Sequence, residues 1–414
     1  MSIAGRWRIV EMPDYVEDYA DMMEPASIEF AADGSANSPS AASPGRSSAG
    51  PTAIMSPSPG RATMKWTKSK VMAGPKSSKM APSPAKSAST TATKLTSSPA
   101  SGFLQQPVKL ARKITGRANI IAFTNGFHGV SIGALSCTGN RYHRAAAGQL
   151  LGGVARLPYD GYLGSSVDTA DYLDHLLSDP SSGVDAPAAV IVETVQGEGG
   201  LNVAGTEWLQ KVAAIARKHR ALLIVDDIQV GVGRTDSFFS FEAAGLRPDI
   251  VTMAKSISGY GLPMALVLID RQLDRWEPGE HNGTFRGNCH AFVTARAALE
   301  QFWRTDSLVA SVRAKGNLLK SRLEQIAQKY DPSRASTKGR GMMRGIDLKS
   351  GEVAGQVISK AFKRGLIVET SGPKDEVVKC LPPLVIGEDQ LSQGLDILEG
   401  AIDSVIGSTV NTAA

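Results

Sequence analysis

Short apolar runs that end in polar residues recur from about residue 109 onward and set the pattern of the chain. APAAVIVETV (186–195), ALLIVDDIQV (221–230), DIVTMAKS (249–256) and LPMALVLID (262–270) are apolar at consecutive positions and rich in branched side chains. Strands buried on both faces read this way. EWLQKVAAIARKHR (207–220) has a different period, with Leu209, Val212, Ala213 and Ile215 on one helical face. LARKITGRANIIAF reads as a helix end running into another buried strand, and ARAALEQFWRTDSLVASVRAKGNLLKSRLEQIAQKY as a long helical region. From Gly341 the strings GMMRGIDL, LIVETSG and VVKCLPPLVI read as a smaller α+β unit. The alternation predicts an α/β fold: a large domain with a mostly parallel sheet over 109–305, then a linking helix and small C-terminal domain over 306–414.

Residues 1–108 do not share this pattern. Between 34 and 101 stand seventeen serines and nine prolines, with few large apolar side chains. Ordering such a tract costs more conformational entropy than its burial returns, so a disordered segment is expected. Charge divides the same way: net −6 over 1–33, net +9 over 34–108 and net +2 over the rest. The body of the chain is nearly neutral and carries no basic stripe of the kind that binds nucleic acid. No run of eighteen apolar residues suits a membrane span. Three widely spaced cysteines (Cys137, Cys289, Cys380) exclude a disulfide framework and a CxxC zinc module, which fits a reducing, cytoplasmic compartment. They are expected to pack, not to react.

Ligands of open α/β sheets lie outside the carboxyl ends of the strands, so polar groups there draw notice. Asp226 and Asp227 end the run Leu222–Val225, as helix caps or as ligand partners. Lys255 ends the run IVTMA; a lysine there is either solvated or, in a desolvated cleft, a nucleophilic amine.

Taken together, VIVETVQGEGG, LIVDDIQVGVGRT and DIVTMAKSISGYGLP resemble the class III pyridoxal-phosphate-dependent aminotransferases. The resemblance implies transferase fold type I. It also implies that Lys255 holds pyridoxal 5′-phosphate and moves a proton, and that Asp226 pairs with the ring nitrogen. By the same resemblance Gln229 bonds the ring oxygen and Phe127 stacks on the ring, with Gly126 allowing close approach. Glu193 lies near the ring. His128 is either a cofactor contact or structural. Thr284 is implied to bind the cofactor phosphate of a neighbouring subunit, which makes the protein a homodimer or larger homo-oligomer. Glu198 and Lys379 are implied at the substrate entrance; Lys379 stands where related enzymes carry a carboxylate-binding arginine and cannot form its bidentate fork.

FTNGFHG, LPYDGYLG, GEHNGTFRGN, ETSG and VVKCLPPL resemble the ectoine-pathway branch of the family. That branch implies transfer of an amino group from L-glutamate to L-aspartate 4-semialdehyde. Two other readings stay open: an ω-aminotransferase acting on 4-aminobutyrate or ornithine, and a catalytically impaired homologue. The third rests on what precedes LARK, where the family carries a phosphate-cradling turn and this chain carries its Ser/Pro/Lys tract. Codons for Pro51-Thr52-Ala53-Ile54-Met55-Ser56, read one nucleotide earlier, can spell Ala-Tyr-Gly-His-Asn-Glu, close to the family's Y-G-H-N stretch. The tract is accordingly read as an out-of-frame rendering of the usual segment, and the chain as written is expected to hold its cofactor weakly and to be inactive or nearly so.

Overall fold

The computed structural model describes residues 105–145, 147, 151–259, 261–281 and 287–407, together with the backbone of three short strands nearer the start. Those strands, β1 (Gly5–Arg8), β2 (Ser27–Phe30) and β3 (Ala36–Asn37), pair antiparallel. The remainder of the 1–104 stretch, and with it most of the tract expected to be disordered, lies outside the described residues.

Helix α1 (Gln105–Thr115) leads into β4 (Ile120–Phe123), two short turns of helix, α2 (Ile132–Leu135) and α3 (Arg141–Arg144), and then β5 (Val154–Leu157). After α4 (Thr169–Ser178) come β6 (Ala189–Val192), the small hairpin β7 (Val195–Gln196) and β8 (Asn202–Val203), and α5 (Thr206–Lys218). β9 (Leu222–Asp226), β10 (Ile250–Ala254) and β11 (Ala265–Ile269) complete a six-stranded sheet in the order β11-β10-β9-β6-β4-β5. Its strands are parallel except β11, which pairs antiparallel with β10.

Alternation along each strand sends side chains to two separate cores. Phe123, Val190, Val192, Leu223 and Val225 pack with Leu173 of α4 and Leu209, Val212 and Ala216 of α5. Ile120, Ala189, Ile191 and Ile224 pack on the other face with Val108, Leu110 and Ala111 of α1. That is why these strands are apolar at every position. The helical face expected over 207–220 is buried, with Trp208 and Ala216 widening it.

The long helical region is not one helix. It divides into α6 (Cys289–Phe302) and α7 (Ser307–Ala327). Trp303 closes α6, and its ring stands edge-on to Phe238 with centroids 4.8 Å apart, an aromatic contact the helix breaks to make. Beyond it β12 (Ser336–Arg340), β13 (Met343–Asp347), α8 (Gly351–Lys363), β14 (Glu369–Ser371), β15 (Val377–Cys380) and α9 (Glu388–Ile406) follow. The four strands form an antiparallel sheet, β12-β13-β15-β14, packed on α7, α8 and α9 through Leu319, Leu323, Val357, Leu395 and Ile402.

Two arginines cross between the sheets in opposite directions. Arg340 of β12 donates to the Ser240 carbonyl (2.6 Å) and to the Thr194 and Thr235 hydroxyls (3.3 Å each). Arg234, in the loop after β9, donates to the Pro382 carbonyl (2.5 Å) and the Met342 carbonyl (3.3 Å).

Candidate active site

The carboxyl ends of β4, β6, β9 and β10 deliver Phe127, Glu193, Asp226 and Lys255 to one region, where an open α/β sheet places its ligands. Asp226 is buried, 4 % exposed. Its Oδ2 lies 2.8 Å from His128 Nδ1, and its Oδ1 accepts from the Ile228 amide (3.2 Å) and the Thr252 hydroxyl (3.3 Å). So His128 faces Asp226, and Thr138 fixes it in turn by accepting from the His128 amide at 2.9 Å. Burial works to lower the His128 pKa, but the hydrogen bond and charge of Asp226 outweigh it and the value is raised.

Glu193 closes the same cluster, accepting from the Phe127 amide (3.0 Å) and the Gly197 amide (3.3 Å). Gly126 sits among these groups: a Cβ there would stand 3.2 Å from His128 Nε2 and 3.7 Å from Glu193 Oε2. Burial first, and Asp226 as a like charge, push the Glu193 carboxyl from 4.5 up to about 7. A raised carboxyl pKa means that the folded state holds a proton that the unfolded chain has already released. Stability therefore falls as pH rises from about 4.5 to about 7 and stays lowered above that window. Glu193→Gln turns one acceptor into a donor facing a backbone amide and costs a hydrogen bond at every pH. Between pH 4 and pH 8, however, its stability relative to the parent is expected to improve by on the order of 1–3 kcal/mol, read from urea unfolding at the two pH values.

Lys255 follows β10 with φ of 57°, a left-handed conformation that a lysine adopts only under constraint. Its side chain is open to solvent, yet the surrounding protein desolvates the ammonium enough to lower its pKa, against the raising effect of Glu198. A second group stands nearby. Gln229 Nε2 donates to Glu198 Oε1 (2.8 Å), and Lys379 Nζ lies 3.0 Å from the same oxygen. Burial raises the Glu198 pKa, but Lys379 and Gln229 outweigh it and the carboxylate is held below its usual range. Gln229 Oε1 is buried with no hydrogen-bond partner, and a Cβ on Gly197 would come within 1.8 Å of it.

A cleft of about 540 Å³ runs beside these residues, lined by Phe127, Tyr142, His143, Glu198, Ser371 and Gly372 among others. Thus Gly126, Phe127, His128, Glu193 and Asp226 form one group, Glu198, Gln229 and Lys379 another, and Lys255 feels charges from both. Thr284 lies outside the described residues. Sequence reasoning missed Thr138, Thr252 and Glu369. The last lies 3.0 Å from Lys379 and directly across the strand pair from it, a placement that the alternation in ETSG and VVKC could have suggested. Burial pushes the thiols of Cys137 and Cys380 up to about 12, which keeps them unreactive. Among the described residues no His, Cys, Asp and Glu group could hold a metal, and no helix is long and apolar enough to cross a membrane.

The sequence profile of the aminotransferase class-III family matches residues 96–402. A diaminobutyrate–2-oxoglutarate transaminase of Nocardia farcinica is 56% identical over 73% of this chain and 69% of its own length. The protein of that name from Halomonas elongata is 54% identical over 72% and 71%, and an uncharacterised aminotransferase of Sinorhizobium fredii is 55% identical over 73% and 68%. Among solved structures, a transaminase from a marine Virgibacillus superposes with a TM-score of 0.69 at 20% identity, covering 76% of this chain and 75% of that one. The ornithine aminotransferase of Toxoplasma gondii does so at 0.66 and 24%, covering 76% and 72%. On this likeness in sequence and fold, the chain belongs to the class III aminotransferases, a pyridoxal-phosphate-dependent family of transaminases.

Proposed function

We propose that this aminotransferase moves the amino group of L-glutamate to L-aspartate 4-semialdehyde, giving L-2,4-diaminobutyrate and 2-oxoglutarate, the step that opens ectoine synthesis. The observation that carries the reading is the likeness, above half identical over nearly three quarters of the chain, to proteins named diaminobutyrate–2-oxoglutarate transaminase.

The residues present fit the family's cofactor. Asp226 is a buried carboxylate with His128 at its Oδ2, which suits a protonated ring nitrogen. In this reading Lys255, Asp226, Gln229, Phe127 and Glu193 hold pyridoxal phosphate, His128 acts through Asp226, and Thr284 serves the neighbouring subunit of a homodimer. When bound, the cofactor supplies the carbonyl that takes up the amine and a ring that withdraws electrons. The chain does the rest. Lys255 Nζ, its pKa lowered by desolvation, takes the proton from the substrate carbon bearing the amine and returns it on the other side of the transfer. Asp226 would face the ring nitrogen and hold the proton there. Glu198 and Lys379 set the polarity at the far end of the substrate.

Single-turnover half-reactions with L-glutamate, L-2,4-diaminobutyrate, L-ornithine and 4-aminobutyrate test the reading. The first two are expected to convert the cofactor fastest. Faster conversion by ornithine or 4-aminobutyrate would assign the chain to another ω-aminotransferase.

A further inference from the structure

Lys379 has no solvent exposure along its side chain, and its ammonium stands between two carboxylates: 3.0 Å from Glu198 Oε1 and 3.0 Å from Glu369 Oε1. The three come from separate places. Glu198 belongs to the loop between β7 and β8, Lys379 to β15, and Glu369 to β14, where the register sets it opposite Lys379. They also face different spaces. Glu198 lines the 540 Å³ cleft, whereas Glu369 and Lys379 line a hollow of about 340 Å³ whose other walls are Leu366, Leu381 and further apolar side chains.

One ammonium balances one carboxylate. Here a second carboxylate shares it, so the trio carries one net negative charge, which Lys255 also feels. Glu369 is 60% exposed and its share is hydrated; Glu198 is 36% exposed and fronts the cleft. Both described hydrogen bonds to Glu198, from Gln229 and Lys379, arrive at Oε1. The carboxylate is thus anchored through one oxygen while its charge is only half spent on Lys379.

On the function proposed above, we propose that Glu369 is a positioning residue. It holds Lys379 from the side away from the cleft, and so leaves Glu198 charged enough to receive the ammonium group at the end of the substrate that does not react. L-2,4-Diaminobutyrate carries such a second ammonium, and 4-aminobutyrate has none. With Glu369 removed, Lys379 pairs with Glu198 alone, and a neutral pair attracts an ammonium weakly.

Calorimetric titration of the full chain with each amine tests this. The parent chain is expected to bind the diamine about tenfold more tightly than 4-aminobutyrate, the size of one hydrogen bond between charged groups. Glu369→Gln, which keeps the shape at an exposed position, is expected to erase that preference. The 4-aminobutyrate affinity should not fall, since its far end is a carboxylate that a neutral pair repels less, and the unfolding midpoint should not move. An equal change for both amines, or no change, would overturn the role of Glu369 and leave the proposed function standing. A parent chain that holds 4-aminobutyrate as tightly as the diamine would overturn both.

Discussion

Lys255→Ala is expected to slow amino transfer from L-glutamate by on the order of 10⁴-fold, measured with pyridoxal phosphate in excess. The site offers no substitute. Lys379 is enclosed between two carboxylates, and Glu193 is buried with both oxygens already held by the Phe127 and Gly197 amides. Among the described residues Lys255 alone combines a left-handed position at the end of β10, a side chain open to solvent and a desolvated, lowered pKa. Lys255→Arg is expected to be equally slow although the charge is kept, because a guanidinium does not give up its proton and so can neither attach to a carbonyl nor act as a base. Stopped-flow measurement of the glutamate half-reaction separates the outcomes. If either variant kept most of the parent's rate, Lys255 would have no part in proton transfer.

Asp226→Asn is expected to act in two places. It removes the charge that would face a ring nitrogen, with a loss of about 10²–10³-fold in rate. It also weakens the buried contact to His128 and lowers stability by about 1–3 kcal/mol. The second effect has a pH signature. The His128 pKa is raised in the folded chain, so the stabilisation is fully present below its ordinary value near 6.5 and fades as pH rises through the raised value. The stability gap between parent and variant should therefore narrow on the alkaline side, while the gap in rate persists. Gaps that moved together with pH would mean that the rate loss comes from unfolding alone.

Much of this was visible before any coordinates, and the reasons differ by element. β6, β9, β10 and β11 are buried on both faces, so each writes an apolar run, interrupted only by Thr252 in β10 and closed by Asp226 in β9. β5 is only partly buried at the edge of the same sheet, and β12 (STKGR) is partly buried throughout; neither has an apolar pattern to find. The break at Trp303 follows from a contact with Phe238, sixty-odd positions away, which no helical period records. In the site, Asp226 and Lys255 stood out as polar residues ending apolar runs, and Glu193 was picked out by the family likeness. Thr138, Thr252 and Glu369 act through what they touch, and a hydroxyl or a carboxylate in a polar stretch announces nothing until its neighbour is known.

The paired guanidinium contacts between the two sheets bear on how this protein comes apart. Arg340 of β12 reaches the Ser240 carbonyl and Arg234, in the loop after β9, reaches the Pro382 carbonyl, so neither half can melt without breaking a guanidinium contact to the other. Heat should meet the two halves as one object, and the calorimetric trace of the chain should show them in a single peak whose width matches its full enthalpy.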